Sequence, residues 1–174
     1  MDLEEAINTA IEYETKVRDV YKYAEEKATN DIGKKIFNVL HKEEQRHLDY
    51  LNFKLNEWQN DNKVTPEDLE TYIPSQAVIN DEIQKLRTTV DPVKTDKKYS
   101  DIELQMLRKA LVVEQETSDF YKRMVSELSG VGQDLFRPFL EIEEGHKLIV
   151  QAEIDSVTGI GYWFDIPEFN LASE

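Results

Sequence analysis

The 174-residue sequence contains no cysteine. Disulfides, thiolate metal sites and iron–sulfur clusters are therefore excluded, and any bound metal would have to take oxygen and imidazole ligands. Glycine and proline are scarce, at six and five residues, while 33% of the chain is charged. That balance excludes a Gly/Pro-rich low-complexity chain and suits a helix-rich globular protein. Basic residues are also few, 21 against 36 acidic, for a net charge of −15. Nucleic acid and anionic membrane bind through basic patches that such a chain lacks, so neither is expected as a partner. Most of the acidity reads as solvated surface. No stretch approaches the roughly 18–20 apolar residues of a membrane span, and the start, Met1 to Glu5, lacks the basic and apolar segments of a secretory signal. The expectation is a cytoplasmic protein forming a single domain over 1–174.

What the sequence does have is helical periodicity. Leu3, Ile7, Ala10, Glu14, Val17, Tyr21, Ala24 and Ala28 recur in alternating steps of four and three, the seam of a helix packed in a bundle. Asp2 and Glu5 suggest a capping box at its start. A second seam runs Phe37, Leu40, Glu44, His47, Leu51, Leu55, Trp58. A third runs Leu104, Leu107, Leu111, Glu114, Ser118, Tyr121, Val125, Leu128, opened by a Ser100/Glu103 capping box. The fourth is Phe136, Phe139, Glu143, His146, Val150, Ile154, Val157, ending near Thr158-Gly159.

On these seams the strongly polar residues are four Glu and two His, with Ser118 beside them. A buried, unpaired carboxylate costs several kcal/mol, so four of them call for a compensating cation. Their heights agree. Glu14 precedes the turn at Ala28–Asp31 by about as much as Glu44 and His47 follow it, and Glu114 and Glu143/His146 straddle Ser129-Gly130 likewise. Residues equidistant from the turn of an antiparallel hairpin sit level. The hairpins, about 2–60 and 100–158, are also an internal repeat: Glu14 and Tyr21 answer Glu114 and Tyr121, and Glu44-x-x-His47 answers Glu143-x-x-His146. The connection of about 61–99 is long enough to run the length of the bundle, giving an order of up, down, down, up. Within it, short helices are expected from Thr65-Pro66 and around Ser75–Arg87.

Residues at i and i+3 on a helix share a face. A Glu there can bridge two ions while the His three positions later binds one, with one terminal Glu from each remaining helix. Four carboxylates balance two divalent ions, and two neutral imidazoles complete the ligand set of di-iron and di-manganese carboxylate bundles. The predicted metal ligands are Glu14, Glu44, His47, Glu114, Glu143 and His146. Mixed oxygen and imidazole ligation with open positions suits two iron ions, or manganese, with zinc as a substitute. The competing reading is a set of buried hydrogen-bonded pairs that fix bundle register. His41 has Asn38 at i−3 and is read as a surface residue. Tyr21 and Tyr121 lie two turns after a ligand Glu; they are either core aromatics or hydrogen-bond donors to ligand carboxylates.

Ala10-Ile11-Glu12-Tyr13-Glu14 with Tyr21, then Glu43-Glu44-Gln45-Arg46-His47, recur as Glu114 with Phe120-Tyr121 and Glu143-Glu144-Gly145-His146. At these residues, over roughly 3–60 and 100–157, the chain resembles the rubrerythrin-like branch of the ferritin-like superfamily. The resemblance implies an all-α, ferritin-like up-down-down-up four-helix bundle with a long crossover and a short tail at 159–174. It also implies a non-haem di-iron oxidoreductase that reduces hydrogen peroxide or dioxygen, with Tyr21 and Tyr121 assisting, or a ferroxidase. Two departures stand out. Rubrerythrins proper carry a cysteine-bound iron in a rubredoxin domain, so here electrons would come from an external donor such as a rubredoxin-like protein, or from Fe(II). They also carry an extra Glu three residues after the third-helix ligand, where this chain has Thr117; Glu116 points about 100° away. A homodimer is the expected assembly. A third possibility is a non-enzymatic helical interaction module. The aromatic tail, Gly161 to Phe169, has no helical pattern and is expected to pack over a bundle end, or else to join a subunit interface.

Overall fold

Asp2 opens the first helix, accepting the Glu5 N–H on its carboxylate at 2.8 Å. From there α1 spans Leu3–Lys27, and α2, capped by Asn30 on the N–H groups of Ile32 and Gly33, spans Asp31–Asp61. The remaining helices are α3 (Gln76–Thr89), α4 (Asp101–Glu127) and α5 (Val131–Gly159), and a 3-10 turn covers Ile166–Phe169. A computed structural model describes residues 1–65, 67–89, 101–159, 163–169 and 171. The fold is all-helical, with no strand among these residues. Among them no helix is long and apolar enough to cross a membrane. Pro138 lies inside α5 without ending it.

The seams predicted from periodicity become the buried faces. Helix α1 packs along α2, α4 along α5, and α1 against α4, while α3 lies on α5. The core forms two apolar clusters. One holds Val17 to Ala24 of α1, Ile36 to Leu40 of α2, Leu107 to Val113 of α4 and Ile149 to Val157 of α5. The other holds Ala6 to Ala10, Leu51, Phe120 to Met124 and Leu135 to Phe139. Each large side chain taken fully out of water in these clusters contributes about 1.5–3 kcal/mol. Helices α1 and α5 run from the second cluster to the first, and α2 and α4 run the opposite way. On every one of the four, the predicted ligand residues fall where the helix passes from one cluster to the other.

Two local expectations change. Residues 67–75 form no helix, and Pro66 lies outside the described residues. The segment's polar groups are drawn to α2 instead. The Lys54 ammonium takes the Thr65 carbonyl, the Tyr50 hydroxyl takes that of Glu67, and the Glu43 carboxylate takes the Thr71 hydroxyl and the Tyr72 N–H. The Ser100 half of the second capping box is also outside the described residues, as are Gly161 and Tyr162. Glu103 is buried and accepts the N–H groups of Thr29 and Asn30, at 2.6 and 2.7 Å, so it caps the turn of the other hairpin. Of the aromatic tail, Trp163, Phe164 and Phe169 are buried, and Ile166–Phe169 form the 3-10 turn.

Candidate metal centre

All six predicted ligands are fully buried, and they come together from four helices. Their ligand atoms form two groups, each within 4.8 Å: Glu14, Glu44, His47 and Glu143 in one, and Glu44, Glu114, Glu143 and His146 in the other. Glu44 and Glu143 belong to both. The distances follow the same division. The Nδ1 of His47 lies 3.1 Å from Glu14, 3.1 Å from Glu44 and 3.3 Å from Glu143. That of His146 lies 2.8 Å from Glu44, 3.5 Å from Glu114 and 3.7 Å from Glu143. The two rings stand nearly parallel, 5.7 Å apart.

The two tyrosines cross between hairpins. Tyr21 of α1 donates its hydroxyl to Glu114 of α4, and Tyr121 of α4 donates to Glu14 of α1. Each follows its own helix's Glu by two turns, and side chains tilt toward the helix N-terminus, so both rings aim back at the ligand layer. Spacing within one helix finds this face, but it cannot show which helix receives the bond.

These residues fit a metal better than they fit one another. Both oxygens of Glu44 and of Glu143, Oε2 of Glu114, Nε2 of His47 and both nitrogens of His146 have no hydrogen-bond partner among the described residues. Buried polar groups are nearly always paired, so a cluster of orphans needs a cause. His146 Nδ1 approaches Glu44 to 2.8 Å without the alignment of a hydrogen bond. Two ligands about 2.1 Å from a shared ion at right angles would stand about 3 Å apart and point at the space between them. Paired side chains that merely set bundle register would point at each other, as His47 Nδ1 and Glu14 do at 3.1 Å, and the orphaned atoms of Glu44, Glu143 and His146 do not.

The electrostatics agree. Burial alone would raise Glu44, but the imidazoles of His146 and His47 outweigh it and hold the carboxyl well below its usual range. Burial and the Glu44 charge likewise oppose ionisation of Glu143, and the histidines win there too. Burial, reinforced by Glu143, pushes Glu14 and Glu114 far up. For His47 burial favours the neutral ring, but Glu14 and Glu44 overcome it; for His146, Glu44 and Glu114 do the same. Burial also drives both tyrosines upward, Tyr21 with help from Glu114 and Tyr121 with help from Glu14, so their hydroxyls stay protonated donors. Without metal the pocket thus approaches neutrality by taking up protons, which two divalent cations would replace.

The remaining residues singled out from sequence lie elsewhere. His41 is half-buried, 3.1 Å from Glu25 and outside both groups. Glu12 is exposed, and Glu116 pairs with Lys16 at the surface. Ser118 donates to Glu144, while the buried Thr117 donates to the Val113 carbonyl of its own helix. Sequence reasoning missed four buried charges: Glu43, Lys54, Glu103 and Glu153. Lys54 and Glu153 had a signal, since each follows a ligand His by seven residues and so shares its face. Glu43 had none. Its burial comes from the 71–74 segment, which spans from Glu43 on α2 to Gly145 on α5, where Ile73 lies 3.0 Å from the place of a Cβ. That segment lies against residues adjoining Glu44 and His146. No family model matches the chain, nor does any curated protein or solved structure.

Proposed function

We propose that the chain is a ferritin-like four-helix bundle of rubrerythrin type that holds two iron ions and reduces hydrogen peroxide or dioxygen. The observation that carries this reading is the pair of four-residue ligand groups sharing Glu44 and Glu143. Glu14 and His47 would complete one ion's shell, and Glu114 and His146 the other's. Manganese fits the same oxygen and nitrogen set, and zinc could substitute. When bound, two irons supply the two electrons that reduce an O–O bond.

The protein's own part is positioning and exclusion of water. The Tyr21 and Tyr121 hydroxyls hold Oε1 of Glu114 and of Glu14 in place, leaving Oε2 of Glu14 to His47 and Oε2 of Glu114 without a hydrogen-bond partner among the described residues. The apolar clusters above and below the layer keep it dry, which strengthens every charge interaction within it. Reducing equivalents come from outside: a rubredoxin-like donor, or Fe(II) itself.

A second reading, ferroxidase and iron handling, draws on Thr117. No seventh carboxylate joins either group among the described residues, and the extra Glu associated with peroxide reduction is absent. Mixing the Fe(II) protein with hydrogen peroxide and with dioxygen in a stopped-flow instrument separates the two. Oxidation much faster with peroxide supports the first, and faster reaction with dioxygen the second. Metal analysis of protein purified without added metal comes first. Less than one equivalent of metal per chain, not restored by Fe(II), would leave the helical interaction module as the surviving reading.

A further inference from the structure

The buried charges that follow the ligand histidines do similar work in opposite ways. Lys54 and Glu153 each reach the backbone eleven residues on, past the end of their own helix. The Lys54 ammonium donates to the Thr65 carbonyl at 2.6 Å, and Oε2 of Glu153 accepts the Phe164 N–H at 3.0 Å. Lys54 is also paired with Glu57 at 2.9 Å and Glu67 at 3.3 Å. Glu153 has no such support, and its Oε1 has no partner among the described residues.

The charges around Glu153 make this worse. From the tail, Asp165 and Glu168 act on it, both negative. On its own helix, Asp155 pairs outward with Arg87 of α3. The α3 cation Lys85 is exposed and paired with Asp81 and Glu82. On α2, Lys34 and Lys35 are exposed, and the buried Glu103 of α4 serves Thr29 and Asn30. No described cation pairs with Glu153.

What it holds down is the aromatic tail. Trp163 lies so close over α2 that a Cβ on Gly33 would stand 2.7 Å from its ring. It meets Phe37 edge-on at 5.5 Å, and Phe37 lies 6.4 Å from Tyr21. The Trp163 Nε1 is buried with no partner among the described residues. The packing is tight, but its polar contacts are incomplete, as in an element whose docked state is only modestly favoured.

We propose that the tail from Trp163 to Phe169 is a pH-gated latch: with Glu153 protonated it lies on Gly33 and Phe37, and loss of the Glu153 proton to solvent releases it. An ionised, unpaired carboxylate at full burial needs water, and lifting the tail admits it. Burial raises this carboxyl well above its usual range; the Phe164 N–H partly offsets the rise, and Glu168 and Asp165 add to it. Release takes Trp163 off Phe37, the ring behind Tyr21, whose hydroxyl holds Glu114. The latch thus touches the metal-centre side of the core without using a ligand.

The test uses the full chain. With W58F, Trp163 is the one remaining tryptophan, and its emission and acrylamide quenching are followed from about pH 5 to about pH 9. The expected result is a red shift and stronger quenching as pH rises, at unchanged helical circular dichroism, with the W58F/E153Q protein staying at the low-pH values throughout. An absent shift, an equal shift in W58F/E153Q, or a shift in step with loss of helix would overturn the proposal. Should a variant fail to fold, hydrogen exchange on the unmodified chain decides. Protection of the Phe164 amide, corrected for intrinsic rate, should fall about tenfold or more across the same range; constant protection overturns the latch.

Discussion

In the first hairpin Glu14, Glu44, His47 and Tyr21 stand where Glu114, Glu143, His146 and Tyr121 stand in the second. Their contacts repeat as well: each histidine faces three carboxylates, and each tyrosine serves the other hairpin. Away from that layer the agreement ends. Lys54 answers Glu153, Arg18 with Gln45 answers Ser118 with Glu144, and exposed Glu12 answers exposed Val112. The difference is physical. Residues of the central layer all face one shared space, so each is constrained by every helix. Residues off that layer answer to solvent or to whatever chain lies over them, and for Lys54 and Glu153 a connection to a further helix differs from a tail.

The largest test of the shared layer is removal of the proposed metal, which should strike both hairpins together. An ion bound at a thousandfold excess over its Kd adds about 4 kcal/mol. Two such ions lost from a chain of this size should lower the melting temperature by more than about 10 °C. An unchanged melting curve after verified removal would favour side chains that fix register. Next in size is the pair Glu44→Ala and Glu143→Ala. Both residues belong to both candidate ligand groups, so on the proposed reading each variant should bind at most one iron per chain and show no peroxide turnover. If one variant kept two irons, the layer would not be symmetric.

Tyr21→Phe and Tyr121→Phe probe the crossing bonds. Each removes the donor from a buried carboxylate oxygen, a loss of about 1–3 kcal/mol in unfolding free energy. Were each tyrosine serving its own helix's Glu, combining Tyr21→Phe with Glu14→Ala would show strong coupling, and combining it with Glu114→Ala would not. The crossed geometry predicts the reverse.

This layer was legible in the sequence because period and heights converge on it. Seam spacing gave the buried face of each long helix, and equal distances from the turns gave the level. The same spacing could not find Glu43, because a connection with no helical period covers it. It also misplaced a helix near Thr65, since backbone groups there are taken by Tyr50, Lys54 and Glu43. Glu103 sits one residue before Leu104 of its seam and looked like a cap for its own helix; only tertiary contact brings it to Thr29 and Asn30. Local pattern decides where a helix lies, and the chain around it decides which charges end up inside.

Lys54→Met and Glu153→Gln should move stability in opposite directions. The first removes the charge-assisted bond to the Thr65 carbonyl, at a cost of about 1.5–3 kcal/mol at neutral pH. The second replaces a group whose folded pKa is raised. As pH rises, the unfolded chain gives up this proton before the folded chain does. The native protein should therefore match Glu153→Gln below the usual carboxylate range and lose ground to it steadily toward the raised folded pKa. Urea unfolding at several pH values reads the difference, and parallel curves would show that Glu153 does not sense pH.

The smallest effect is expected where the hairpins differ most openly. Glu12 and Val112 occupy the same place in the repeat, two residues before a ligand Glu, and both are exposed, Val112 at 58%. Two residues along a helix is about 200° of rotation, so side chains there point away from the ligand layer, whichever residue is present. Neither belongs to a ligand group. Glu12→Ala and Val112→Glu should each change unfolding free energy by less than about 0.5 kcal/mol, the range of ordinary surface substitutions, and leave iron per chain unchanged. Val112→Glu is the sharper of the two, because it makes the second hairpin copy the first at this position and adds charge to an already acidic surface. Loss of iron in either variant would mean that the helical phase is wrong by about half a turn, and would overturn the proposed assignment of the metal to the layer defined by Glu14 and Glu114.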